Sequence, residues 1–207
     1  MSAENSHTPA VLVLADGRAF HGRSVGAAGE AIGNLRFDTE QTGYFEAITD
    51  PETATNQAPT LLAFTTPHIG NTGIADPNRE PTVAGIIMRD PSRIASHWDS
   101  RGDLEPYLVE HGVVAISHID TRALIRHAGR NHWAGKEAEH NRRAGGEVGS
   151  NHRARGEVGG NHPAGGEPVA AGLFTGERAW APVHELVENV KTVFAAHLNT
   201  VSDQEGL

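Results

Sequence analysis

Short apolar runs separated by turns make up most of the first 130 residues. These runs are short enough, and spaced closely enough, to predict strands. The five predicted strands are Ala10–Leu14, Leu35–Phe37, Thr60–Thr65, Val83–Met88 and Val113–Ile116. Helical spacing appears in Leu104–His111, before Gly112, and in a segment that Asp120 caps and Gly129 ends. Because strands outnumber helices, we expect an α/β or α+β domain with most of its core in sheet.

A series of glycines runs from Gly22 through Gly26 and Gly29 to Gly33. We predict that all four occupy turns between short strands, where permissive backbone angles are needed. The series is not a phosphate-binding loop, because it lacks the strand–GxGxxG–helix order and a Gly-Lys-Ser/Thr ending.

A decapeptide repeated four times occupies Asn131–Ala170, with the consensus Asn-His-x-Ala-Gly-Gly-Glu-Val-Gly-Gly. The segment contains no Leu, Ile, Phe or Met. It therefore lacks the apolar surface that offsets the entropy of ordering, and we expect it to be disordered. Its histidines, which are His132, His140, His152 and His162, suggest a metal-binding alternative. A tolerated tandem duplication is the simpler interpretation.

An order-prone tail follows the repeats. Gly172–Phe174 is a predicted strand, and Val183–Leu198 is a predicted amphipathic helix. We therefore divide the chain into a disordered start (1–9), a main domain (10–130), the repeat insertion (131–170) and a tail (171–207). The tail is a possible continuation of the main domain.

Composition excludes several classes of function. The 207 residues include 17 Lys and Arg against 26 Asp and Glu, which gives a net charge of −9 and argues against a nucleic-acid binder. The absence of cysteine excludes disulfides, cysteine zinc sites and thiol nucleophiles. No apolar run approaches the length of a membrane span, and residues 1–9 do not resemble a signal peptide. We expect a cytoplasmic protein.

Two polar motifs are candidate sites. The segment 67–73 carries His68 and Asn71 between glycines, directly after an apolar strand, where loops often hold ligands or partners. The alternative is that both side chains only satisfy loop backbone groups. Tyr44 and Asp50 form a second group, although Asp50 before a proline is first of all a turn residue. No Gly-x-Ser-x-Gly elbow, HExxH motif or carboxylate pair is present, so these residues predict a binding surface rather than a catalytic one.

Motifs along residues 10–127 resemble, in order, the N-terminal domain of the carbamoyl-phosphate synthase small subunit. The first set is Leu14-x-Asp16-Gly17-x-x-Phe20-x-Gly22, Gly26-Ala27-x-Gly29-Glu30, Thr42-Gly43-Tyr44, Thr49-Asp50-Pro51 and Pro67-His68-Ile69-Gly70-Asn71. The second set is Val83-Ala84-Gly85, Arg89-Asp90, Ile94-Ala95-Ser96, Leu104-x-x-Tyr107-Leu108, Val114-Ala115-Ile116 and Ile119-Asp120-Thr121-Arg122.

The resemblance implies a three-layer β/β/α swivelling domain that helps to pair with a large subunit. In that family a second half is a cysteine-dependent glutaminase, and its ammonia passes to the large subunit. The large subunit makes carbamoyl phosphate, for arginine and pyrimidine biosynthesis, from bicarbonate and ATP. We therefore expect no cofactor on this chain, ATP on the large subunit, and as partners the large subunit and a possible separate glutaminase chain. We expect no nucleic acid or membrane partner.

Two departures from the family change the expected activity. The chain stops where the glutaminase would begin and has no cysteine, so we expect no glutaminase activity. Glu52 stands where the family has a glutamine-contacting serine, and its carboxylate would repel the carboxylate of glutamine. The stretch 51–67 is longer than in the family, so Thr53 or Thr55 is the alternative at that position. A docking module, a divergent remnant or paralogue without a pathway role, and, less favoured, a His-rich metal-binding protein remain the alternatives.

Overall fold

A computed structural model describes residues 8–39, 43–53, 58–128 and 168–202, with side chains as far as residue 199. Residues 131–167 of the repeats, with their four histidines and their predicted disorder, lie outside these residues, as does most of the predicted disordered start. Pro9 and Ala170, which we placed in the disordered start and in the repeat insertion, belong to the first and last strands.

The described residues form nine strands and four α-helices. The strands are β1 Pro9–Leu14, β2 Ala19–Gly26, β3 Glu30–Asp38, β4 Thr60–Phe64, β5 His68–Ile69, β6 Gly85–Ile87, β7 Asp90–Pro91, β8 Val114–Ser117 and β9 Ala170–Thr175. The helices are α1 Tyr44–Thr49, α2 Leu104–Glu110, α3 at 121–128 and α4 Val183–Ser202, with a short 3-10 helix at Gly176–Trp180. The mixed α/β content predicted from the sequence is confirmed.

Seven of the strands close into a barrel in the order β1-β2-β8-β6-β4-β3-β9. The pairs β3–β4, β4–β6 and β6–β8 are parallel. The pairs β1–β2, β1–β9, β2–β8 and β3–β9 are antiparallel. Strand β9, which follows the repeats in the chain, pairs with both β1 and β3. Strands β5 and β7 form a separate parallel pair.

The core has three parts because most barrel strands are apolar on both sides. One cluster takes a side chain from every barrel strand and fills the interior: Leu12, Phe20, Leu35, Leu61, Ile87, Ile116 and Leu173. A second cluster lies outside the barrel beneath α1 and α2, and a third lies beneath α4. In β1, for example, Leu12 belongs to the interior whereas Val11 and Val13 contact the α4 layer. This explains why the strand reads as an unbroken apolar run.

Helix α1 was not predicted from the sequence. It has only six residues, too few for helical spacing to be recognisable, and no side chain caps its start. It forms because Tyr44, Phe45 and Ile48 are buried in the cluster outside the barrel. Tertiary packing therefore supplies the stability that an isolated helix of this length lacks.

The glycine prediction is right for two positions and wrong for two. Gly26 and Gly29 have positive φ angles at the β2–β3 connection, as expected for turns. Gly22 and Gly33 instead lie inside β2 and β3. A Cβ at Gly22 would lie 2.3 Å from the Ser117 carbonyl oxygen, and one at Gly33 would lie 1.9 Å from that of Pro59. Close backbone approach, rather than a turn, requires glycine there.

The described residues on either side of the repeat segment lie close together. Ala128 and Pro168 line the same cavity of about 190 Å³, next to Asp16 in the β1–β2 turn. The Asp16 carboxylate pairs with His127 of α3, with Oδ2 and Nε2 2.6 Å apart. The chain thus leaves the barrel and returns to it at one place.

Candidate functional site

Two loops beside the β5–β7 pair form the most prominent exposed surface that carries sequence-predicted residues. These loops are residues 68–74 and 91–103, and we call their exposed side chains the loop surface. Four backbone hydrogen bonds fasten one loop to the other. They are Ser92 N–H to Ile69 O at 2.6 Å, Ser96 N–H to Asn71 O at 2.9 Å, Arg101 N–H to Ile74 O at 2.8 Å, and Ile74 N–H to Gly102 O at 2.9 Å. The loop surface is therefore held in one arrangement before any partner arrives.

Tyr44 supports this surface from beneath. Its side chain is 5% exposed, and its hydroxyl donates a hydrogen bond of 2.6 Å to the Gly73 carbonyl oxygen. Burial raises the pKa of Tyr44, so the phenol stays protonated and able to donate. Gly73 has a φ of 71°, and a Cβ there would meet the Ser100 side chain. Tyr44 thus positions the loop and is not itself part of the exposed surface.

Two large apolar side chains project from the second loop. Ile94 is 74% exposed and Trp98 is 86% exposed, and the Trp98 ring lies against His97 with centroids 5.5 Å apart. His68 and Asn71 are exposed on the neighbouring loop. Exposed aromatic and aliphatic groups with polar neighbours are typical of protein-binding surfaces. The arrangement offers apolar area for a partner to cover.

Asp50 and Glu52 lie apart from this surface. They follow the C-terminal end of α1, whereas Tyr44 begins that helix. The Asp50 carboxylate accepts a hydrogen bond of 2.9 Å from the Glu52 N–H, which is the turn geometry that Asp before proline predicts. Thr82 donates through its hydroxyl to the Asp50 carbonyl oxygen at 2.8 Å. The Glu52 side chain is exposed.

The structure therefore divides the five sequence candidates into two groups. His68 and Asn71 belong to the loop surface, which Tyr44 supports from beneath, and Asp50 and Glu52 belong to the turn after α1. In the part of the chain that the structure describes, no three histidine or acidic side chains lie close enough to hold a metal ion. Within the same part, no helix has the length and apolar character needed to cross a membrane.

The comparison with known proteins identifies the family. Residues 12–134 match the family model described as carbamoyl-phosphate synthase small chain, CPSase domain, which is more than half of the chain. The chain belongs to the carbamoyl-phosphate synthase small chain family.

Curated members of this family align with the same part of the chain. The carbamoyl phosphate synthase small chain of Streptomyces coelicolor is 48% identical over 130 residues, covering 61% of this chain and 33% of that protein. Those of Pseudomonas aeruginosa and Escherichia coli are 46% and 44% identical over 121 and 120 residues. They cover 57% and 56% of this chain. The chain spans about a third of the length of the curated relatives it matches. The resemblance to the N-terminal domain of the small subunit is confirmed.

The sequence analysis did not identify Ile94 and Trp98, the two large apolar side chains of the loop surface, as candidate site residues. Ile94 was noted only as part of a family motif, and Trp98 was not singled out. The available signal was a pair of large apolar residues four positions apart in an otherwise polar stretch before α2. Exposure itself could not be read from the sequence, because an apolar residue in a loop is as often buried beneath it.

Proposed function

We propose that this chain is a docking module of glutamine-dependent carbamoyl-phosphate synthase that binds the large subunit through the loop surface. The observation that carries the proposal is the exposure of Ile94 and Trp98 on the 91–103 loop, which backbone hydrogen bonds fasten to the 68–74 loop. Family membership supplies the partner: a carbamoyl-phosphate synthase large subunit, in the cytoplasm, serving arginine and pyrimidine biosynthesis. The three-layer swivelling architecture implied by the resemblance belongs to the same proposal.

The energetics favour Trp98 as the principal contact. A central tryptophan that becomes fully desolvated in an interface contributes about 2 kcal/mol or more. Because the loop backbone is already ordered, little conformational entropy is lost when the partner binds. His68 and Asn71 supply polar groups at the edge of the apolar area.

The proposed module has no glutaminase chemistry of its own. The chain contains no cysteine, so no thiolate is available to form a thioester with glutamine. Exposed Glu52, at the position of the family's glutamine-contacting serine, disfavours a bound glutamine carboxylate. In this proposal a separate glutaminase chain supplies ammonia, the large subunit binds ATP, and this chain binds no cofactor.

The test is binding of the full chain to the large subunit from the same organism, measured by surface plasmon resonance. We expect wild-type binding, and a roughly 30-fold higher Kd for Trp98→Ala, which corresponds to about 2 kcal/mol. Trp180→Ala is the matched control, since Trp180 is 78% exposed in the 3-10 helix before α4, away from the loop surface. Its Kd should equal that of the wild type.

Three results would contradict the proposal or part of it. Equal Kd values for Trp98→Ala and wild type would show that the large subunit does not bind through the loop surface. No binding by a wild-type chain that shows a cooperative unfolding transition would favour the alternative of a divergent remnant. Glutamine turnover by the purified chain, with contaminating glutaminases excluded, would overturn the assignment of ammonia supply to another chain.

A further inference from the structure

A cleft of about 550 Å³ lies at a different place from the loop surface, where three elements meet. These elements are the chain from the end of β6 to the first residue of β7, the turn after β8, and the first two turns of α3. The cleft is lined by Arg89 and Asp90 from the first, His118 from the second, and Asp120, Arg122 and Arg126 around the third. Arg89, Asp90, Asp120 and Arg122 belong to motifs that carry the family resemblance, but neither the resemblance nor the proposed docking function gives the cleft a role.

The fold brings the arginines together through the parallel strands β6 and β8. Their backbones remain joined beyond the strand ends, because His118 donates its N–H to the Arg89 carbonyl oxygen at 2.8 Å. Helix α3 starts directly afterwards, and Arg122 and Arg126, four residues apart, share one of its faces. The cleft thus lies at the carboxyl ends of parallel strands, a common place for ligands in α/β proteins.

The charges in the cleft oppose the charge of the whole chain. Three guanidinium groups face two carboxylates, in a protein whose net charge is −9. The Asp120 carboxylate accepts the Ala123 N–H at 2.9 Å and so caps α3. The Asp90 carboxylate lies 3.8 Å from the Arg89 guanidinium. Arg122 and Arg126 place two like charges four residues apart on α3, an arrangement that favours an anion between them.

The backbone at the cleft is also unusual. Among the residues that the structure describes, His118 is the one non-glycine with a positive φ, at 63°. Its Nδ1 lies 2.8 Å from the Ser117 hydroxyl oxygen. Residues held in this conformation concentrate at ligand sites and switches, where neighbouring structure enforces it.

We propose that this cleft binds a small molecule carrying two or more phosphate groups. The planar N–H forks of arginine match phosphate oxygens, and three arginines, one between β6 and β7 and two on α3, line this one cleft. The volume is within the range of small-molecule sites and exceeds what a single phosphate fills. A partner protein would instead be expected to use apolar area, which the loop surface offers.

The test is calorimetric titration of the full chain, without a large subunit, using inorganic tripolyphosphate at constant ionic strength. We expect one binding site per chain and weaker binding of inorganic phosphate. Arg122→Gln and Arg126→Gln should each raise the Kd at least tenfold. Arg122→Lys should recover part of the loss, since it restores the charge but not the fork. Arg101→Gln, an exposed arginine of the 91–103 loop, is the control and should bind as the wild type does.

The outcomes separate this proposal from its alternatives. Absence of tripolyphosphate binding, or equal Kd values for wild type and the Arg122 and Arg126 variants, would overturn it. A hexaglutamate peptide that binds as tightly as tripolyphosphate would overturn the phosphate assignment and favour an acidic protein segment. Thermal unfolding of each variant shows whether the fold is intact, and Arg122→Lys keeps the test decisive should Arg122→Gln unfold. Because no large subunit is present, failure here leaves the docking proposal unaffected.

Discussion

Removal of the Tyr44 hydroxyl tests whether the loop surface is held from beneath. Tyr44→Phe keeps the ring, which packs edge-on against Phe64 with centroids 6.5 Å apart, and deletes the 2.6 Å hydrogen bond to the Gly73 carbonyl oxygen. Because that bond is buried, water cannot readily replace the lost donor. A buried polar group left unsatisfied costs about 1–3 kcal/mol, so we expect a free energy of unfolding lower by about 2 kcal/mol.

The assay is urea and thermal unfolding of the wild type and the variant. A loss of about 2 kcal/mol corresponds to a Tm lower by about 4–8 °C in a domain of this size. Tyr107→Phe is the matched control, since its hydroxyl donates to the carbonyl oxygen of exposed Arg79 at 2.5 Å, where water can substitute. We expect that variant to lose less than about 1 kcal/mol. Equal losses for the two variants would refute the argument that burial of the Gly73 carbonyl sets the cost.

Three further predictions concern the fold. Gly33→Ala should lower the free energy of unfolding by about 3 kcal/mol, because its Cβ would meet the Pro59 backbone. The control is Gly102→Ala, whose Cβ would have no atom within 4 Å and which should leave the free energy of unfolding unchanged or raise it by up to about 1 kcal/mol. Equal urea midpoints for the two variants would contradict this. Burial raises the pKa of Tyr107 from 10.0 to about 12, which favours the protonated phenol in the folded state. Its stabilising contribution is therefore complete below pH 10 and is lost as the pH rises to 12, and urea unfolding across that range should show a smaller decline for Tyr107→Phe. Replacing residues 129–167 by a Gly-Ser linker of about eight residues should raise the free energy of unfolding by about 1.4 kcal/mol through a shorter closed loop; a less stable variant would show that the removed segment contributes to the fold.

The elements that the sequence predicted well are those whose stability comes from a regular apolar pattern. The stripe in α4 is confirmed, with Leu186, Val187, Val190 and Phe194 buried, and the helix continues to Ser202. The runs in β1 and β4 were recognisable because both sides of each strand are buried. The ends of strands were predicted less accurately than their positions: the predicted strand was Val83–Met88, whereas the observed strand is Gly85–Ile87. An apolar run shows that a segment is buried but not how many of its backbone groups find a partner strand.

The candidate site was predicted only in part. His68 begins β5 and Asn71 follows it, and both are exposed, as the polar motif indicated. Tyr44 was singled out by the same reasoning but is buried, because the unpredicted helix α1 turns its ring toward the barrel. Ile94 and Trp98 could not be recognised as exposed from local pattern. Exposure depends on which other segments cover a loop, and those segments are distant in the chain.

The amino-acid sequence by itself determined the family, the strand-rich core, the α4 helix and the absence of a thiol nucleophile. Each of these depends on residue identity or on spacing within one segment. Only the tertiary structure decided that β9 closes the barrel between β1 and β3. It decided as well that Gly22 and Gly33 lie within strands against the backbone of other segments, and not in turns. It also decided that Arg89, Arg122 and Arg126 share a cleft. These are contacts between segments far apart in the chain, and local spacing carries no information about which segments meet.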